Sequence, residues 1–270
     1  MRILITGSAS GIGKEIARIF LKNGHTVYGI DIKEDTPQQG YTPIRADITC
    51  RAELDALREQ LVQQACVFDV LVHAAGVHTM LSLVEGDADR MERLMRVNVL
   101  GAMLVNRTLH PLLAMNGRIL IITSEVATLA PLPFNGLYSV SKHALDAYAQ
   151  ALRQEVQLIG QRVITVRPGA VETPLCHASL EATERLAAET VLYRTQAAHF
   201  LTLTKRFMGR PMPPECLASV VFRAATCRHP RHAYHKHRNL GLVLLGILPA
   251  RLQCTVIRLL LNRRSRKKEA

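Results

Sequence analysis

A chain of 270 residues, 48% of them hydrophobic, is long enough to bury a sizeable core, and an α/β unit of this size folds as one domain. Its formal net charge of +12 raises nucleic-acid binding, but aromatics are only 4%, tryptophan is absent and much of the excess charge falls after residue 204, so no nucleic-acid partner is expected. The six cysteines, Cys50, Cys66, Cys176, Cys216, Cys227 and Cys254, contain no CxxC pair, which argues against a disulfide framework or a zinc site and, with no leader ahead of the first apolar run, for an intracellular protein with reduced thiols.

Short β-branched runs alternate with helical periodicity over the first 170 residues. Strands are expected at Ile3 to Thr6, Thr26 to Asp31, Thr42 to Ala46, Asp69 to His73, Arg118 to Thr123 and Arg162 to Arg167. Helices are expected between them, over about 12–22, 51–65, 89–113 and 138–158. This rhythm specifies an α/β fold with a doubly wound parallel sheet and right-handed crossovers. Ligands of such sheets bind beyond the carboxyl ends of the strands.

The first strand runs into Gly7-Ser8-Ala9-Ser10-Gly11-Ile12-Gly13, a glycine-rich turn that opens a helix. Such a turn lets backbone approach a pyrophosphate, and the helix end offers it unpaired N–H groups and a positive dipole. Asp31, with Ile32 beside it, closes the second strand 18 residues after Gly13, where a carboxylate can accept from ribose hydroxyls. The pattern is that of a Rossmann-type dinucleotide site. A carboxylate at 31 repels the extra phosphate of NADP, and Ser8, Ala9 and Ser10 offer no cation for it. NAD is therefore the expected cofactor, with Lys33 near enough to keep NADP open.

Tyr138-Ser139-Val140-Ser141-Lys142 places a phenol and an amine four residues apart, on one face if the segment is helical. An ammonium close to a phenol favours phenolate and lowers its pKa toward neutrality, which would let Tyr138 exchange a proton with a substrate oxygen. An isolated YxxxK is more often an ordinary helix surface, so its meaning depends on the rest of the chain.

The sequence resembles the short-chain dehydrogenase/reductase family, of the single-domain NAD(P)-dependent type whose members are similar over nearly their whole length. The resemblance rests on the TGxxxGxG turn, Asn98 in Arg96-Val97-Asn98-Val99, Ser124 in Ile122-Thr123-Ser124, and Tyr138 with Lys142. It implies that Tyr138 is the general acid/base, that Lys142 tunes it and holds the nicotinamide ribose, that Ser124 bonds the substrate oxygen, and that Asn98 holds a water in a proton relay. It further implies that Asp47 and Ile48 lie beside the adenine, and that Pro168, Gly169, Val171 and Thr173 flank the nicotinamide end. Where the family usually has NNAG, this chain has His73-Ala74-Ala75-Gly76. Ala74, Ala75 and Gly76 still admit backbone to the adenosine side, whereas His73 is read as a packed strand-end residue. Members are often homodimers or homotetramers through the helices near 98 and 138. A dinucleotide-binding regulatory protein without turnover is the alternative, against which the complete Asn98, Ser124, Tyr138, Lys142 set argues.

Residues 174–214 are read as a substrate lid with one long helix over about 181–207, although an ordinary packing helix has the same apolar spacing. Its Leu and Val content suits a small hydrophobic alcohol or ketone of steroid, retinoid or fatty type. Another helix is expected from Pro214 to Thr226, then a last strand within a His-rich basic stretch, 228–238, whose Arg and Lys side chains would repel a metal ion. Residues 1–239 form the expected domain and 240–270 an apolar then basic tail. Arg251 and Arg258 make spanning a bilayer costly, so residues 240–268 are read as lying on a membrane surface or folding back onto protein. The expected location is cytoplasmic with peripheral membrane association.

Overall fold

A computed structural model describes residues 1–207 and 210–262. The chain runs β1 (Arg2–Thr6), α1 (Gly11–Lys22), β2 (Thr26–Asp31), β3 (Tyr41–Arg45), α2 (Arg51–Gln63), β4 (Phe68–His73), α3 (Ala88–Met95), α4 (Ala102–Leu109), β5 (Leu113–Ile122), α5 (Gly136–Val156) and β6 (Arg162–Pro168). There follow α6 (Pro174–Glu189), α7 (Arg194–Phe207), α8 (Pro214–Thr226), β7 (Ala233–Lys236), α9 (Leu240–Ile247) and α10 (Ala250–Leu261). The strands form one sheet in the order β3-β2-β1-β4-β5-β6-β7, and every neighbouring pair is parallel.

Strand residues alternate between two faces, and here both faces are covered. Ile3 and Ile5 point to a core built with Ile16 and Phe20 of α1 and Leu217 and Val221 of α8. Leu4, between them, points to the opposite core with Leu54 of α2, Val105 of α4 and Leu145 of α5. The register aligns the strand ends: Thr6 is level with Ile30 and with His73, and His73 with Ile121. All the loops that follow these strands therefore emerge along one edge, on either side of the point between β1 and β4 where the winding reverses.

Three segments differ from the expected helices. The long helix over 89–113 is interrupted by a π-helical turn at Arg96–Gly101, and β5 starts at Leu113, five residues before the expected Arg118. The expected lid helix is two helices, α6 and α7, joined around Thr190 to Tyr193, where Glu85 accepts hydrogen bonds from Thr190 Oγ1, Val191 N and Leu192 N. The apolar tail breaks at Leu248-Pro249, because proline has no N–H to continue α9 and disfavours helical backbone in the residue before it. α10 then lies against α7, with His199 Nδ1 at 2.7 Å from the Leu261 carbonyl. The basic residues Arg263, Arg264, Arg266, Lys267 and Lys268 lie outside the described residues.

Candidate active site

A cleft of about 690 Å³ runs along the strand ends. Gly7, Ser10, Gly11, Ile12 and Gly13 form one side, Asp31 and Ile32 an end, Asp47 and Ile48 the next loop, and Ala74, Ala75, Gly76 and Thr173 the rest. The glycines are required sterically. A Cβ on Gly13 would stand 2.0 Å from the Gly7 carbonyl oxygen, and one on Gly7, whose φ is +74°, would stand 2.7 Å from Ala75 backbone. No side chain caps α1 at Ser10, so its first-turn N–H groups face this turn without a side-chain acceptor. The donor set and the bare backbone fit a dinucleotide pyrophosphate.

Asp31 is fixed by its own loop: Oδ2 accepts from Ala9 N and Oδ1 from Lys33 N, each at 3.0 Å. Asp47 shapes its turn in the same way, its Oδ1 accepting from Thr49 N and Thr49 Oγ1 at 2.8 Å. Ser8 is the predicted cofactor residue whose side chain the structure turns away. It is buried, 3.2 Å from Tyr41 Oη, in the space that the missing Cβ of Gly29 leaves.

A second cavity, of about 720 Å³, adjoins the cleft, and Ile12, Ala74, Gly76 and Thr173 border both. Its inner wall carries Ser124, Tyr138 and Lys142, with Pro168, Gly169 and Val171 alongside. Ser124 ends the β5 loop, and its hydroxyl accepts from Val126 N at 3.4 Å. Tyr138 and Lys142 occupy the first turns of α5, and Lys142 Nζ stands 5.7 Å from the centre of the Tyr138 ring. The ammonium also donates to the Ile122 carbonyl at 3.4 Å. Asn98 is buried within the π-helical turn, where its Oδ1 accepts from Val77 N at 2.8 Å and its Nδ2 donates to Val77 O and Ser141 Oγ. Its side chain thus braces the loop after β4.

The electrostatics differ from the simple expectation that Lys142 lowers the Tyr138 pKa. Burial pushes the Tyr138 phenol up to about 12, while the Ser124 hydroxyl pulls it back. Burial also brings the Lys142 ammonium down to about 8. Withdrawal from water therefore sets the direction of both shifts, and the phenol holds its proton through neutral pH.

The family model described as short chain dehydrogenase matches residues 1–184. The chain belongs to the short-chain dehydrogenase/reductase family. As a member it is an oxidoreductase with the seven-stranded parallel sheet of its relatives. An uncharacterised oxidoreductase of Staphylococcus epidermidis is 26% identical over 211 residues, which covers 73% of this chain and 91% of that one. A 3-ketodihydrosphingosine reductase of Bacteroides thetaiotaomicron is 31% identical over 176 residues, or 63% of this chain and 64% of the other. Among solved structures, a 3-ketoacyl-(acyl-carrier-protein) reductase of Brucella melitensis complexed with NADH superposes with a TM-score of 0.70 at 24% identity, covering 87% of this chain and 95% of the other. A short chain dehydrogenase of Burkholderia cenocepacia in complex with NADP gives 0.71 at 18% identity, covering 97% and 98%.

This short-chain dehydrogenase/reductase has site residues that sequence reasoning missed. His78, two residues past Gly76, packs its ring 4.1 Å from that of Tyr138, and its Nε2 lies 3.1 Å from Asn135 Oδ1. Burial and the Lys142 charge bring His78 down to about 4, so it is neutral at working pH. Position was the available signal, since loops after β4 border the crevice. His73, by contrast, is buried against Asn106, at 3.0 Å from its Oδ1, away from both cavities. The other histidines of 228–238 are dispersed along β7 and its flanks, and among the described residues no cluster of three His, Cys, Asp or Glu could hold a metal.

The outer wall of the second cavity is also unexpected. α9 and α10 supply Leu242, Leu245, Val256 and Ile257 to it, and the break between them Leu248, facing Phe200 and Leu203 of α7. Phe134, with φ +63°, turns its ring into the cluster of Met80, Leu186, Phe200 and Leu261. Left-handed backbone in a non-glycine residue costs on the order of 1 kcal/mol or more and persists where surrounding packing fixes it. Here it ties the start of α5 to the lid helices.

Proposed function

We propose that the chain transfers hydride between NAD(H) and a hydroxyl or carbonyl of a hydrophobic, lipid-like substrate, with Tyr138 as general acid/base. The observation that carries this reading is the apolar 720 Å³ cavity, which ends at Ser124 and Tyr138 and meets the dinucleotide cleft at Gly76 and Thr173. The dinucleotide, when bound, supplies or accepts the hydride. The glycine turn holds its pyrophosphate, Asp31 its adenosine ribose, and Lys142 its nicotinamide ribose. In reduction, Ser124 holds the carbonyl oxygen and Tyr138 hands it a proton. The 3-ketodihydrosphingosine reductase of Bacteroides supports a lipid substrate. The test is NADH absorbance with a panel of long-chain ketones: saturable depletion is expected, and NADH binding without depletion by any of them would refute the reading.

Asp31 decides between the two dinucleotides. Its carboxylate is anchored on both sides, so it cannot swing away from an incoming 2′-phosphate. Activity with NADH is expected to exceed that with NADPH, and Asp31→Ser to lower kcat/KM for NADH about tenfold while narrowing the gap between them. A charge-assisted hydrogen bond is worth roughly 1.5–3 kcal/mol, which sets that scale. A wild-type preference for NADPH would overturn the assignment.

α9 and α10 also carry the proposed membrane contact. Leu240, Leu252 and Leu259 are exposed on helices that also line the cavity, with Arg251 and Arg258 among them. No described helix is long and apolar enough to cross a membrane. The helices lie on an anionic bilayer surface and admit substrate from it, which makes the enzyme a peripherally associated cytoplasmic protein. Sedimentation with phosphatidylglycerol vesicles is expected for the full chain and is lost on removing residues 240–270; equal pelleting of both forms would end this proposal. Assembly into a homodimer or homotetramer through α4 and α5 belongs to the same reading.

A further inference from the structure

The wall of the apolar cavity contains one carboxylate that the chemistry above does not use. Glu125 directly follows Ser124 and is only 7% exposed. Carboxylates are rarely buried without partners, because each oxygen taken out of water must find a donor. Oε2 has one, the backbone N–H of Asn239 at 2.7 Å. Oε1 has no hydrogen-bond partner among the described residues. It lies against Gly169, where a Cβ would stand 3.2 Å from it, and Gly169 also borders the cavity. Burial pushes the Glu125 carboxyl up, and the Asn239 N–H and the nearby Arg238 and His237 only partly offset this.

Glu125 has a structural duty that needs only one oxygen. The bond to Asn239 N fixes the residue that caps α9, since Asn239 Oδ1 in turn accepts from Leu242 N. A glutamine would do this equally well. The second oxygen is surplus to that duty, and Glu125 borders the same cavity as the reacting groups. Ser124 and Glu125 both border that cavity, so one substrate can meet the two side chains together.

We infer that Glu125 is a specificity-determining residue: its Oε1 accepts a hydrogen bond from a hydroxyl or amine on the substrate, close to the reacting carbonyl. The substrate is thus an apolar chain whose head carries both the carbonyl and a neighbouring donor, rather than a plain ketone. This rests on the reading of the cavity as the site of a lipid-like ketone and narrows its chemistry. A donor-bearing head satisfies this free oxygen, whereas a plain ketone that covers it leaves it unpaired, and a site built for a polar group rejects the analogue that lacks it.

Glu125→Gln tests this without removing the α9 anchor. The amide oxygen must face Asn239 N–H, so the amide NH2 faces the cavity and opposes another donor. Three long-chain ketones of equal length serve as probes, one plain, one with a 2-hydroxyl and one with a 2-amino group. In the wild type, kcat/KM is expected to favour a donor-bearing ketone by at least about tenfold over the plain one, and Glu125→Gln to reduce that ratio about tenfold or more. The hydroxy and amino arms identify which donor is read. A ratio near one in the wild type, or one that the variant leaves unchanged, overturns the inference. If the wild type reduces none of the three, the lipid-ketone reading fails, and calorimetry with dodecylamine and dodecanol then decides on Glu125 alone. Binding of either that weakens about tenfold in Glu125→Gln supports the acceptor role, and binding that is absent or equal in both proteins refutes it.

Discussion

Tyr138→Phe is expected to reduce NADH-linked ketone reduction by about 10² to 10⁴-fold, the usual worth of a positioned general acid, while NADH binding followed by fluorescence stays intact. The substitution removes one oxygen and leaves the ring against His78, so the cavity keeps its shape. The pH profile supplies a second readout. Reduction needs the phenol protonated, and a group pushed up to about 12 holds its proton through the neutral range, so kcat/KM for reduction stays level from pH 6 to 8. Oxidation needs the phenolate, whose fraction rises about tenfold per unit below the pKa, so alcohol oxidation climbs with pH over the same range. Lys142, brought down to about 8, loses its charge above that point, and with it the attraction that favours phenolate, so the climb flattens beyond pH 8. Retained turnover in Tyr138→Phe, or an oxidation rate that falls as pH rises from 6 to 8, would remove Tyr138 from the proposed role.

The fold was legible because its signals are local. The alternation of Ile3, Leu4 and Ile5 between two cores, and the glycine turn at the end of β1, follow from side-chain period and backbone sterics alone. Tyr138 and Lys142 were legible for the same reason, since four residues on a helix fix two side chains on one face. The misses depend on tertiary packing. The π-helical turn at Asn98 retains the apolar spacing of a regular helix, so one long helix was expected where there are two with a turn between them. Leu113 is a poor guide to the start of β5, because the same apolar residue suits the end of the preceding helix. Residues 240–261 have apolar spacing that suits a membrane surface and a cavity wall equally, and only the fold-back of α9 and α10 shows that they line the cavity. Glu125 looks like a solvated charge in sequence and becomes informative once Asn239, 114 residues away, takes one of its oxygens.

If α9 forms the wall along which an alkyl chain lies, wild-type kcat/KM is expected to climb with chain length until the cavity is full. Each methylene buried is worth about 0.8 kcal/mol, or roughly fourfold, so four methylenes amount to about 200-fold. Leu245→Asp places a carboxylate in that largely apolar wall, where a hydrocarbon chain lying against it would strip its water. The variant is expected to lose about 100-fold on a twelve-carbon ketone and far less on a five-carbon one, so that the plot of log kcat/KM against chain length flattens. The slope separates a lost wall from a damaged catalytic pair, because injury to Ser124 or Tyr138 lowers every ketone equally. Leu245→Ala should give a shallower loss with the same sign, since it removes contact area without adding charge. A uniform drop across chain lengths in both variants would mean that α9 supports the fold without touching substrate, and the lipid reading would then have to rest on α7 and the loop before α5.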